Sequence, residues 1–241
     1  MKENRIDRDR YEVFLFCFNL LKNYYLDWVV LDTETTGLNY IDQIIDIAVI
    51  SKHGSTILDT LIKPTCSISS GAFAVHGLDY DVLESAPLFP EIYPELKSAI
   101  EGKLVFIYNA DFDVNKLRYR CELDELPMID FTPKCLMELY AKYYGEWSSY
   151  WGNYKWQKLP GGNHRAKGDA IAARNLIYKM AEPLTCMVDL QTPPFPAKQI
   201  YLDWVEFFTL SFKISKPVVT FRDKDNEKDD SKDDDWDIIP F

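Results

Sequence analysis

The sequence has no two cysteines at C-x-x-C spacing; its five, Cys17, Cys66, Cys121, Cys135 and Cys186, are scattered and odd in number. That excludes a zinc or disulfide framework as the organising principle and leads us to expect a reduced, cytoplasmic setting. No apolar run approaches the roughly 18 residues of a membrane span, and the first ten residues are too polar and charged for a secretory leader. Positive charge is scarce, with 27 Lys and Arg against 38 Asp and Glu, a net charge of -11. This balance argues against a tight, nonspecific hold on duplex nucleic acid. Its distribution is uneven, because residues 222–241 carry nine acids and four bases.

What is present suits a folded domain with an appendage: 241 residues, 47% hydrophobic and 15% aromatic. The stretch that organises the rest is Val29-Val30-Leu31-Asp32-Thr33-Glu34-Thr35-Thr36-Gly37-Leu38. A β-branched apolar run predicts a buried strand from Trp28 to Asp32, and residues two apart on a strand share a face, so Asp32 and Glu34 point one way. Two carboxylates held that close repel unless a proton or a cation is shared. Oxygen ligands of this kind suit Mg²⁺, although a solvated acidic turn reads the same way in isolation.

Further strands are expected at Ile41–Ile50 and Thr56–Ile62, forming an antiparallel meander with the first. A short helical turn over Ser69–Gly77 and a helix over Phe89–Ile100, stopped by Gly102, come next. Leu104–Tyr108 reads as a strand buried on both faces. A helix from about Asp111 carries Val114, Leu117 and Cys121 as its inner stripe. Met128–Phe131 is expected to be the last strand and Pro133–Tyr144 a helix. Residues 145–163, rich in Trp and Tyr, break the pattern, and a final helix runs from about Arg165 to Met180 on an alanine stripe. Before these elements, residues 1–10 are expected to fray and Tyr11–Leu21 to form a helix packed on the domain. Strand–helix alternation after a meander implies an α/β domain with a mixed sheet.

Three more pieces join the first. Asn109-Ala110-Asp111-Phe112-Asp113 lies at a strand–helix junction, with Asp113 one turn before Leu117. His164-Arg165-Ala166-Lys167-Gly168-Asp169 opens the last helix, with Asp169 early in it and His164 on the preceding Gly161-Gly162 turn. Ala74-Val75-His76-Gly77-Leu78 falls between the first two motifs. In this order and at these junctions the four motifs resemble those of the DEDDh exonucleases, the DnaQ-like, proofreading-subunit-like 3′→5′ nucleases, over roughly residues 25–182. One departure is Tyr108, where many members have histidine; it bears on substrate contacts.

The resemblance implies a ribonuclease-H-like fold, a five-stranded mixed sheet with helices on both faces, here with an extra N-terminal helix and a C-terminal extension. It implies two divalent cations, Mg²⁺ or Mn²⁺, held by Asp32, Glu34, Asp113 and Asp169, and His164 as general base, an imidazole being suited to that work near neutral pH. Thr35, Leu38, His76 and Asn109 are the implied substrate contacts, although for His76 a structural hydrogen-bonding role reads equally well. The implied reaction is hydrolysis of nucleotides from a DNA 3′ end that is single-stranded or unpaired. RNA is the alternative polymer, and a nuclease-fold adaptor the alternative class.

The organisation expected is a helical extension over 1–24, the exonuclease domain over 25–183, an extension with possible strands over 184–221, and an acidic, disordered tail over 222–241. That tail ends Trp236-Asp237-Ile238-Ile239-Pro240-Phe241. It resembles the tip of bacterial single-stranded-DNA-binding proteins, apart from Trp236 and the extra Ile239. A terminal Phe ring with its carboxylate suits an apolar pocket rimmed by basic groups. Trp236, Ile239, Pro240 and Phe241 are thus candidate contacts to replication or repair proteins that read such a tip.

Overall fold

The computed structural model describes residues 2–182, with side chains from Arg5 onward. Five strands form one sheet in the order β3-β2-β1-β4-β5. They are β1 (Trp28–Thr35), β2 (Ile44–Ser51), β3 (Thr56–Leu61), β4 (Leu104–Ile107) and β5 (Thr132–Cys135). The first three make the expected antiparallel meander, and β1, β4 and β5 run parallel. The strands β1, β2 and β4 are almost wholly buried, as continuous β-branched runs require when both faces are covered.

One face is covered by α4 (Phe89–Ile100) and α5 (Ala110–Leu123), whose Phe89, Ile92, Leu96, Leu117 and Cys121 pack on Val29, Leu31, Ile47 and Val105. The other carries α1 (Lys2–Lys22), α6 (Leu136–Tyr144) and α7 (Ala166–Met180), which pack together there, with α7 lying across β1 and β2. Trp28 and Phe16 meet Phe106 edge-on beneath α1. The expected turn is α2 (Ser70–His76), capped by the Ser69 hydroxyl and ended by Gly77 at φ 70°, a left-handed position that suits glycine. A one-turn helix, α3 (Tyr80–Leu83), follows on an Asp79 cap. Among the described residues no helix is long and apolar enough to cross a membrane.

Three expectations are corrected. Residues 2–10 do not fray but form the first half of α1. Arg10 reaches inward, donating to the Tyr143 and Tyr144 carbonyls at 2.7 and 2.9 Å and closing the C-terminal end of α6, where helix carbonyls lack partners. The last strand is Thr132–Cys135 rather than Met128–Phe131, so α6 starts at Leu136 instead of Pro133. Ile129 and Phe131 pack against the core as irregular chain, while Pro133 is accommodated because, among the described residues, β5 is an edge strand. Residues 145–163 contain a small hairpin, β6 (Trp147–Ser148) with β7 (Asn153–Tyr154). The readings of residues 184–221 and of the tail lie outside the described residues.

Candidate active site

The C-terminal ends of the parallel strands β1 and β4 converge on one edge, the place where open α/β sheets receive ligands. The end of β1 supplies Asp32 and Glu34. Asp113 enters from the first turn of α5, which follows β4, and Asp169 from the first turn of α7. Both helix-borne acids thus sit where a helix dipole favours negative charge. Carboxylate oxygens of Glu34 and Asp169 and a ring nitrogen of His164 all lie within 4.8 Å of one another. Thr33, on the opposite face of β1, donates its hydroxyl to Asp113 at 2.7 Å, and Asn163 N–H donates to Asp169 at 2.6 Å. Just past Glu34 the pairing with β2 skips Ile45; such bulges locally re-aim a strand beside a site.

The residues expected at the site therefore fall into two groups. Asp32, Glu34, Asp113, His164 and Asp169 are brought together from three distant parts of the chain. Among the proposed substrate contacts, Leu38 is 53% exposed. Asn109 sits half-buried at the start of α5 with no side-chain capping bond. Thr35 is buried and donates to the Gly37 carbonyl at 2.8 Å. His76 holds the end of β1 instead of presenting a free ring: Nε2 contacts the Thr35 carbonyl at 3.2 Å and Nδ1 accepts from Leu78 N–H at 3.0 Å. Burial lowers its pKa, in keeping with a neutral ring in that double role. Tyr108 donates its hydroxyl to the Gln157 carbonyl at 2.5 Å, tying down the chain that leads to His164.

His164 occupies a left-handed backbone position at φ 57°, uncommon for a residue with a side chain and characteristic of sites where strain serves a purpose. Its Nδ1 is buried and, among the described residues, has no hydrogen-bond partner. A buried ring nitrogen left in that state calls for a ligand, water or ion to complete it.

The electrostatics point the same way. Burial, and then the charges of Asp113, Asp169, Glu34 and Asp46, drive the pKa of Asp32 well above the ordinary carboxylate range. Burial raises Asp113 too, against the lowering effect of the Thr33 hydrogen bond. Glu34 is pushed up to about 8, by burial first and by Asp169 second, with Arg165 opposing. Asp32, Glu34 and Asp113, buried acids whose ionisation is opposed in this way, are stabilised by protons or by cations. An all-carboxylate set with one imidazole fits hard divalent ions.

A pH-dependent stability follows. Without a cation, folded Glu34 keeps its proton up to about pH 8, whereas the unfolded chain loses it near 4.5. Between those values the native state binds more protons, so stability falls as pH rises through the window and levels off above it. Chelator-treated protein should therefore melt lower at the upper end of the window than at the lower end. Added Mg²⁺ or Mn²⁺ should raise Tm most at the upper end, because cation binding replaces the protons. A Tm that rises with pH in the chelated protein, or ignores the cations, contradicts this account.

Several supporting residues went unread in the sequence. Asp46, buried on β2, accepts from Arg165 Nε at 2.9 Å and from Ala166 N–H at 3.3 Å, fixing the start of α7 and with it Asp169. Arg165 and Lys167 are paired with Asp46 and Asp59. Lys116, 2% exposed, clamps the Gly37 and Asn39 carbonyls on either side of Leu38. Arg120, 1% exposed, bonds Gln43 Oε1 at 2.6 Å and pairs with Asp124. The signal was available: Lys116 and Arg120 continue the buried row that starts at Asp113, at helical spacing.

Residues 29–177 match the family described as Exonuclease, RNase_T. The uncharacterized exonuclease CP81 of Escherichia phage 186 is 33% identical over 173 residues, covering 65% of this chain and 89% of that protein. DNA polymerase III subunit epsilon of Escherichia coli is 32% identical over 105 residues, covering 39% of this chain and 43% of that one. The chain thus spans most of the phage protein but less than half of epsilon. In three dimensions, E. coli Exonuclease I, solved in complex with a dA16 oligonucleotide, aligns at a TM-score of 0.53 with 17% identity, over 66% of this chain and 41% of that one. That likeness is one of fold: a five-stranded mixed sheet flanked by helices.

Proposed function

The chain belongs to the exonuclease family, a nuclease enzyme by descent, and on that premise we propose that it is a DEDDh-type, metal-dependent 3′→5′ exonuclease acting on unpaired DNA ends. The observation that carries this reading is the meeting of Asp32, Glu34, Asp113 and Asp169 with His164 at one sheet edge. Oligonucleotide-bound E. coli Exonuclease I, a fold neighbour, supports nucleic acid as the partner.

Asp32, Glu34, Asp113 and Asp169 would hold two Mg²⁺ or Mn²⁺ ions. When bound, such ions stabilise the attacking and leaving oxygens of an in-line phosphodiester displacement. His164 takes the proton from the attacking water as the oxygen–phosphorus bond forms and the 3′-oxygen departs. Thr33 and Asn163 hold Asp113 and Asp169 in place by hydrogen bonds. Leu38, presented by the Lys116 clamp, lies against the terminal nucleotide, and Asn109 contributes from the start of α5.

Digestion of 5′-labelled single- and double-stranded DNA and RNA tests the polymer and the direction. A ladder shortening from the 3′ end of single-stranded DNA, ahead of duplex and RNA, is expected. A faster RNA ladder reassigns the substrate, and no degradation of any polymer favours an adaptor. The tail reading is supported by sequence alone: Trp236, Ile239, Pro240 and Phe241 would dock on replication or repair proteins. Equal binding of such a partner by full-length protein and by protein lacking Phe241 would refute it.

A further inference from the structure

The hairpin formed by β6 and β7 is built rigid at its base and apolar at its tip. At the base, Trp147 and Tyr154 meet edge-on at 5.2 Å. Arg5 lies over the Trp147 ring at 4.7 Å, and Tyr154 donates its hydroxyl to buried Asp9 at 2.7 Å. Lys155 pairs with Glu146 at 2.7 Å across the two strands. A base anchored this way to α1 holds its tip at a set position.

The tip presents Tyr150, 86% exposed, and Trp151, 70% exposed, with Trp156 half-exposed just beyond β7. Packing does not account for them, since the two tip rings touch each other, edge-on at 4.7 Å. Large rings left in water on a fixed support mark a contact surface.

Two observations choose the occupant. The hairpin is continuous with the active site: Glu146 accepts from Gln157 Nε2 at 3.3 Å, and the Gln157 carbonyl accepts from Tyr108, the residue before Asn109. The same chain segment runs on to His164. The second observation is electrostatic. From Trp147 to Gly168 the sequence has no acid, in a chain of net charge -11, while Lys155 and Lys158 lie within it. The carboxylates that touch the hairpin are engaged, Glu146 with Lys155 and Asp9 with Tyr154, and bases stack on aromatic rings regardless of sequence.

We propose that Tyr150 and Trp151 form a stacking arm that holds unpaired bases of the strand whose 3′ end occupies the active site. This inference rests on the exonuclease reading above and deepens it by assigning the preference for an unpaired strand to a named element. It predicts that long single strands are held better than very short ones, and that the chemical step is indifferent to the arm.

The test compares full-length wild type with a Tyr150→Ala/Trp151→Ala double variant and a Tyr150→Phe/Trp151→Phe control that keeps the rings. Binding of a fluorescein-labelled dT oligomer of about 15 nucleotides is measured by anisotropy with Ca²⁺ replacing Mg²⁺. Hydrolysis of the p-nitrophenyl ester of thymidine 5′-monophosphate, which is too small to reach the arm, is measured with Mg²⁺. The alanine variant should bind the oligomer about tenfold or more weakly, cleave the ester at the wild-type rate, and differ from the phenylalanine control, which stays close to wild type. Equal oligomer affinity in wild type and alanine variant overturns the arm. If wild type binds the oligomer through these rings but cleaves neither substrate, the arm stands and the exonuclease reading falls.

Discussion

Asp32→Asn should lower kcat by about 10³-fold or more and, at the same time, make the cation-free protein melt higher than wild type. The first effect follows from its place: Asp32 lies on the β1 end and feels the charges of Asp113, Asp169, Glu34 and Asp46. Loss of an ion shared by that cluster forfeits several kcal/mol of transition-state stabilisation, at about 1.4 kcal/mol per tenfold in rate. The second effect has the opposite sign for the same reason. Without a cation, folding forces Asp32 to take up a proton that the unfolded chain does not hold, and an amide of the same shape removes that cost. Activity and stability thus pull apart at one residue, a conflict usual where a site is tuned for ligand and not for packing. Calorimetry with and without Mn²⁺, beside steady-state kinetics, reads both. A variant that is inactive and also less stable without metal would mean that Asp32 is simply structural.

His164→Ala should cost about 10²- to 10⁴-fold in kcat, the usual worth of a general base, with little change in KM. Its ring nitrogen lies within 4.8 Å of Glu34 and Asp169 oxygens, and its buried Nδ1 has no hydrogen-bond partner among the described residues. This geometry also suits a cation ligand, so the experiment must separate the two roles. Added imidazole should restore part of the lost rate if the ring works as a base. Metal affinity measured directly should stay at the wild-type value. Failure of rescue together with a large fall in Mn²⁺ affinity would make His164 a ligand. The left-handed backbone at φ 57° adds a second expectation: His164→Gly keeps the turn at lower strain and should be no less stable than wild type.

How much of this was legible in the sequence differed by residue, for physical reasons. Asp32 and Glu34 were readable because a buried strand announces itself by β-branched residues and alternation does the rest. Asp113 was readable because it stands one turn before Leu117 on the inner stripe of its helix. The meander and the helices over Phe89–Ile100 and Ala166–Met180 were bounded by glycine, proline and regular spacing, local signals that tertiary context did not override. What was missed depends on partners far away in the chain. The role of Arg10 is invisible without the carbonyls of Tyr143 and Tyr144, and that of Asp9 without Tyr154. Thr132–Cys135 has little strand character of its own and becomes a strand because β4 offers it an open edge. The bond from the Tyr108 hydroxyl to the chain ahead of His164 likewise has no local signal. Lys116 and Arg120 went unread, although their spacing from Asp113 places them in the interior.

The central claim is that Asp32, Glu34, Asp113 and Asp169 together make a divalent-cation site on which hydrolysis depends. Isothermal titration of wild type and Asp32→Asn with Mn²⁺, in the presence of thymidine 5′-monophosphate, tests it most directly. The account predicts saturable binding of two ions by the wild type and loss of binding in the variant. Equal Mn²⁺ binding by the two proteins would contradict it.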